Sequence, residues 1–217
     1  MIINQIVSGG GGSAPAHYLL MKNYDPNNTA ILKHDGSKLI DLTGIKELGV
    51  YSLTYAYYEA DVADAGATAW GNASGITVGS GAFDYAFCRA NFTNKNVVMK
   101  GLVKTDGLGA TYFNNTFTNS NVETVSFVDL TEINGYNSTA VVFQAMCSNC
   151  SSLTDVYFPS LSSILTTTRP FGASSANYAF RTTSANIHFP LAMQSVIEGL
   201  TGYSDKFGTT GSILFDL

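Results

Sequence analysis

Three groups of residues have types and spacings that could do chemistry. Cys147-Ser-Asn-Cys150 has the spacing of half a zinc site or of a dithiol redox pair. Zinc needs a second pair of ligands, and the remaining Cys88, His17, His34 and His188 are scattered without ligand spacing. Buried structural cysteine is the better expectation. Glu59, Asp61 and Asp64 in YYEADVADAG form a local acidic cluster that suggests calcium. The sixth-position glycine and the later ligands of an EF-hand are missing, so a solvated acidic loop is expected. Gly9–Gly12 and Gly79-Ser-Gly-Ala-Phe83 suggest phosphate cradling, but neither completes G-x-x-x-x-G-K or G-x-G-x-x-G, and both read as linker or turn. No G-x-S-x-G and no H-E-x-x-H occurs. The chain is therefore read as non-enzymatic, with no catalytic residue, no cofactor and no metal.

Composition narrows the partners. Lys and Arg number 11 against 16 Asp and Glu, for a net charge of −5, and no basic cluster occurs. The electrostatic footprint of nucleic-acid binding is missing. No run of 18 apolar residues exists, so no membrane insertion is expected. The N-terminus lacks the basic and apolar regions of a secretory leader, and no signal peptide is read in it. Hydrophobic residues make up 45% of the chain, ample for a sizeable core, and charged residues only 12% while Gly (21), Ser, Thr and Asn are abundant, a balance that favours β-rich structure with many turns.

The elements that must position any site come from a repeat. Val97-x-Met99-x-x-Leu102, Val125-x-Phe127-x-x-Leu130-x-x-Ile133 and Val156-x-Phe158-x-x-Leu161-x-x-Ile164 share one pattern, which Ile187-x-Phe189-Pro190 continues and Ile40-x-Leu42-x-x-Ile45 starts. The steps between 97, 125, 156 and 187 are 28, 31 and 31 residues. A second element recurs between the rungs. Phe83 and Phe87, Phe113 and Phe117, and Phe143 and Cys147 are i,i+4 pairs whose leading members stand 30 apart. Such pairs share one face of a short helix. Each repeat then reads as short strand, turn and helical turn, and no single repeat can bury its own apolar face.

Residues 1–36 are expected to hold a Gly-rich hinge at Gly9–Gly12 and a cap over 14–36. The repeat domain then occupies 37–217, with a C-terminal cap over 191–217. Residues 49–80 lack a clear rung and carry Tyr51, Tyr55, Tyr57, Tyr58 and Trp70. They are read as an insertion or a degenerate repeat.

The pattern Leu-x-x-Val-x-Phe-Pro-x-Leu-x-x-Ile, with its Phe-rich turn and Cys-Ser-Ser-Leu, resembles the BspA-type leucine-rich repeat of bacterial surface proteins. The resemblance covers about 76–200 well and 37–48 loosely. It departs from the general leucine-rich pattern in placing Leu102, Leu130 and Leu161 where Asn or Cys is usual, so the turn is expected to close by aliphatic packing. It implies a right-handed α/β solenoid of four to five rungs plus caps, in an extracellular or cell-surface setting or a phage-type appendage. The function it implies is adhesion to an unknown protein or glycan ligand.

Strand alternation then places the binding face. With Val125 and Phe127 inward, Val98, Ser126, Tyr157 and His188 line up along the outside, and Tyr157 is the natural anchor. The alternative is a carbohydrate-binding or enzyme-accessory protein that stacks sugars on Tyr57, Tyr58 and Trp70 of the aromatic segment.

Overall fold

A computed structural model describes residues 36–217 together with residues 5–6 and 18–20. The chain is a repeat solenoid of parallel strands with about six turns and little helix. Its strands are β1 (Gln5–Ile6), β2 (Tyr18–Leu20), β3 (Glu47–Leu48), β4 (Asp61–Val62), β5 (Ile76–Val78), β6 (Asn91–Phe92) and β7 (Asn96–Val98). They continue as β8 (Leu102–Thr105), β9 (Thr124–Ser126), β10 (Glu132–Asn134), β11 (Asp155–Tyr157), β12 (Ser163–Leu165), β13 (Asn186–His188) and β14 (Ile213–Leu214). One sheet runs β1-β2-β3-β5-β8-β10-β12 and a second runs β14-β13-β11-β9-β7, with β4 and β6 forming a third, two-stranded contact. Successive coils thus add one strand to each main sheet, and every pair except β1 and β2 is parallel. The hinge at Gly9–Gly12 and most of the cap at 14–36 lie outside the described residues.

The rungs are where their spacing places them. Val125 pairs in register with Val97 and Val156, and Val156 with Ile187. All four are fully buried, as are Phe127, Phe158 and Phe189, two positions on. Leu102, Leu130, Leu161 and Ile133 are buried beside them, whereas Ile164 is only partly covered. Leu130 and Leu161 donate their N–H groups back to Phe127 and Phe158 at 3.3 and 3.2 Å, which closes the turn after each strand.

The i,i+4 phenylalanines are not helical. Among the described residues the α-helix is confined to α1 (Gln194–Glu198). The expected helical turns are instead a ribbon of successive turns in which alternate N–H groups serve different partners. In residues 49–60 the even-numbered N–H groups bond three residues back: Ser52 to Gly49, Thr54 to Tyr51, Ala56 to Leu53 and Tyr58 to Tyr55. The odd-numbered ones bond across to the next coil: Leu53 to Ala82 at 2.8 Å, Tyr55 to Asp84 at 3.2 Å and Tyr57 to Ala86 at 2.8 Å. Phe83, Tyr85, Phe87 and Arg89 repeat this toward Tyr112, Asn114, Thr116 and Thr118.

A helix would satisfy every N–H internally and leave nothing to join the coils. The ribbon joins them at a cost, because every fourth residue takes positive φ: Tyr51, Tyr55 and Glu59; Tyr85 and Arg89; Asn115 and Asn119; Ala145 and Asn149. Asparagine tolerates that region, and the bulkier residues are strained there by about 1–2 kcal/mol each.

Residues 49–80 contain the same ribbon, preceded by β3 and followed by β4 and β5. This stretch is a coil of the stack, which brings the count above the four to five rungs expected. Leu53 and Tyr57 stand where Phe83 and Phe87 stand one coil later, and both are buried.

The core is organised as aromatic columns. Phe83, Phe113, Phe143 and Phe171 stack at centroid distances of 5.2, 5.0 and 5.2 Å. Tyr57, Phe87 and Phe117 stack at 5.0 and 5.4 Å, and Phe127, Phe158 and Phe189 at 5.0 and 5.3 Å. These separations follow from the spacing of paired strands, about 4.8 Å, which puts like residues one above another. Cys147 continues the second column as a fully buried side chain, and Cys150 donates its S–H to the Phe117 carbonyl at 2.9 Å. Cys88 is also buried, and burial pushes its thiol up to about 11. At the far end, Met193, Ile197 of α1 and Phe207 close the core.

Candidate functional site

The outer face of the five-stranded sheet is built from residues that alternate with the buried rungs. Strand registers place Val98 opposite Ser126, Ser126 opposite Tyr157, Tyr157 opposite His188 and His188 opposite Leu214. The four expected ladder residues therefore form one continuous row. A second row, one pleat along, is Asn96, Thr124, Asp155 and Asn186. Its members are hydrogen-bonded in two pairs: the Thr124 hydroxyl donates to Asn96 Oδ1 at 2.9 Å, and Asn186 Nδ2 donates to Asp155 Oδ1 at 3.3 Å.

Tyr157 and His188 form the centre of this face. Their rings stack with centroids 4.4 Å apart and planes 21° apart. His188 Nε2 lies 3.0 Å from Asp155 Oδ1, and Nδ1 lies 2.9 Å from Asp216 Oδ1. Burial pushes Asp155 up, but hydrogen bonds from His188, Thr154 and Asn186 together outweigh it and hold the carboxyl below its ordinary value. The Tyr157 phenol is raised, first by burial and then by the charges of Asp155 and Asp216.

His188 points away from the core as its place in the strand requires, yet it is only 8% exposed because the Tyr157 ring and the C-terminal segment cover it. Its expected role as an open contact residue is corrected accordingly: Val98, Ser126 and Tyr157 present partly exposed surface, and His188 supports Tyr157 from the neighbouring strand.

The aromatic segment places its residues differently. Trp70 is buried, its indole N–H donating to the Val98 carbonyl at 2.6 Å and its ring edge-on to Phe83 and Phe87. Tyr57 is buried as well; its hydroxyl accepts from the Ile40 N–H at 2.7 Å, and burial pushes the phenol up to about 12. Neither offers a face to a sugar, and the expectation that they do is corrected: large aromatics at inward positions fill the core of their own coil. Tyr58 is half-exposed, with the Arg89 guanidinium 6.0 Å above its ring.

The acidic residues nearby do not converge. Glu59 pairs with Arg89 at 2.9 Å, Asp61 accepts from Asn91 at 3.0 Å and Asp64 from Asn94 at 2.9 Å. Among the described residues no three His, Cys, Asp or Glu side chains are placed to share a metal. No helix among the described residues is long and apolar enough to cross a membrane.

Asp155 and Asp216 are the residues of this candidate face that site selection from the sequence missed. Asp155 was visible as an outward position flanking Tyr157. Asp216 carries no repeat signal, and only the pairing of β14 with β13 brings it beside His188. The chain has no match among protein-family models, curated proteins or solved structures.

Proposed function

We propose that this protein is a non-enzymatic binding module of the leucine-rich-repeat kind, displayed at a cell surface or on a secreted or phage-type appendage. Its ligand is a protein or glycan held on the outer face of the β7-β9-β11-β13 sheet. The observation that carries this reading is the in-register row Val98–Ser126–Tyr157–His188, in which a large, partly exposed aromatic ring is held rigid by a stacked histidine. Rigid amphipathic aromatics are the residue type on which interfaces concentrate their binding energy. The resemblance to BspA-type repeats supports the surface setting and the adhesive role.

The competing reading, sugar stacking by the aromatic segment 49–80, loses Trp70 and Tyr57 to the core. Both are tested by probing immobilised matrix proteins, mucins and polysaccharides with the intact chain, Tyr157→Ala, Ser126→Lys and Tyr58→Ala. Loss of a retained ligand in the first two variants alone supports the sheet face. Loss confined to Tyr58→Ala supports the ribbon and overturns the sheet reading.

A further inference from the structure

The turn before β14 leaves an open cleft of about 260 Å³, lined by Tyr203, Ser204 and Lys206 on one side and by Ser212 and Ile213 on the other. Both walls are fixed. Behind the first, the Phe207 ring is buried in the core and meets the Tyr203 ring at a centroid distance of 6.2 Å. The second is held by the pairing of Ile213 with Ile187 and by the Ser212 N–H, which donates to Asn186 Oδ1 at 3.2 Å. Between them the Thr209 hydroxyl donates to the Ala185 carbonyl at 2.7 Å and accepts from the Gly211 N–H at 3.0 Å. The cleft is formed before anything enters it, which lowers the cost of binding there.

Lys206 is placed in this lining under strain. Its φ and ψ are 50° and 35°, those of Phe207 are 53° and 26°, and Gly208 follows at φ 90°. Every other non-glycine residue with positive φ among the described residues stands alone, as L-residues do in this region. Burial of its ring accounts for Phe207. Lys206 is exposed, and glycine or asparagine would take its backbone at less cost. What lysine adds is an ammonium group in the wall of the cleft. Its Nζ donates to the Gly211 carbonyl at 2.9 Å, which ties one wall to the other and leaves two of its three donors for a ligand. Strain of this kind gathers where a side chain must be held for binding.

We infer that this cleft is a second binding site, apart from the sheet face, for a carboxylated sugar of the hexuronic acid class. Among the described residues that line it Lys206 carries the one charge, and the neighbouring Asp205 is engaged by the Tyr178 hydroxyl. The site therefore favours an anion. Ser204 and Ser212 are both exposed, and their hydroxyls can each donate and accept, which suits a polyol. Tyr203 and Ile213 give apolar surface to the C–H groups of a sugar ring, surface from which a bare inorganic anion gains nothing. Pockets for drug-sized ligands run to about 300–1,000 Å³, so a cleft of this size takes a single ring. Binding here does not depend on the sheet face having a ligand.

The test is nuclear magnetic resonance of the whole chain, following the amides of 203–206 and 212–213 as glucuronate, glucose, acetate or inorganic phosphate is added. The expected result is saturable shifts at those amides with glucuronate. Glucose, which lacks the charge, should bind about tenfold more weakly or worse, in keeping with loss of a hydrogen bond to a charged group, and so should acetate, which lacks the ring and its hydroxyls. In Lys206→Asn, where asparagine tolerates the left-handed backbone, glucuronate should fall to the affinity of glucose. Ser204→Ala, a change at an exposed site, should weaken glucuronate binding with the melting temperature unaltered. Acetate or phosphate binding as tightly as glucuronate would reduce the cleft to an anion contact and overturn the inference. Glucuronate shifts that are absent, that fall outside the cleft or that survive Lys206→Asn overturn it as well.

Discussion

Truncating Phe158 to alanine removes a ring that touches four others. It stacks on Phe127 at 5.0 Å and on Phe189 at 5.3 Å, and meets Phe143 and Phe171 edge-on, each at 5.6 Å. Phenylalanine-to-alanine changes in cores cost about 3–5 kcal/mol through lost transfer energy and the cavity left behind. Each stacked or edge-on pair adds about 0.5–1.5 kcal/mol beyond area, so Phe158 belongs at the upper end, near 5 kcal/mol. The columns above and below are pinned by strand pairing on both sides and cannot collapse into the gap. Phe158→Leu, which keeps most of the volume, should cost about 1–2 kcal/mol. Urea unfolding at unchanged slope measures both values. A loss below about 1 kcal/mol for Phe158→Ala would show that the columns contribute little and would refute the packing argument.

Asp84 is 8% exposed, and burial pushes its carboxyl up to about 6, against hydrogen bonds from the Asn114 N–H and the Thr111 hydroxyl. Because the folded value lies above the unfolded one, the stability tied to this proton is full below about pH 4 and is lost as pH rises through about 6. A shift of about 2 units corresponds to about 3 kcal/mol. Asp84→Asn should therefore unfold at higher urea than the parent at pH 7.5 and similarly at pH 4; parallel pH profiles would contradict this. Thr182 is a β-branched residue at φ 57, in the ribbon position that holds Asn119 and Asn149 in the two preceding coils. Thr182→Asn should raise stability by about 0.5–1 kcal/mol, and a lower melting temperature would show that the Thr182 hydroxyl bond to Asn149 outweighs the strain.

The rungs were legible because two constraints coincide in them. Val125 and Phe127 alternate with Ser126 at the period of a strand, and the same types recur about 30 residues away, so register and burial followed together. The ribbon was misread because an i,i+4 pair such as Phe83 and Phe87 fits a helix and a run of two-residue turn steps equally well. The discriminating signal was Asn115 and Asn119, four apart with Asn149 one coil later, since asparagine recurring at that interval marks left-handed positions. The coil within 49–80 hid for a related reason: its ribbon uses Leu53 and Tyr57 in place of two phenylalanines, although 53, 83, 113 and 143 stand 30 apart. Its aromatic richness suggested a surface, but Trp70 and Tyr57 fill space that phenylalanines fill in later coils. On the outer face, the row through Tyr157 followed from alternation alone. The pairing of His188 with Asp216 depends on a strand outside the repeat pattern.

The binding account turns on which face a ligand covers. Hydrogen exchange of the chain alone and saturated with a ligand retained from the matrix-protein and glycan panel measures that footprint directly. Slowed exchange at Thr124–Ser126, Asp155–Tyr157 and Asn186–His188, with residues 50–59 and 80–89 unchanged, is the predicted result. Slowing confined to 50–59 and 80–89 would contradict it.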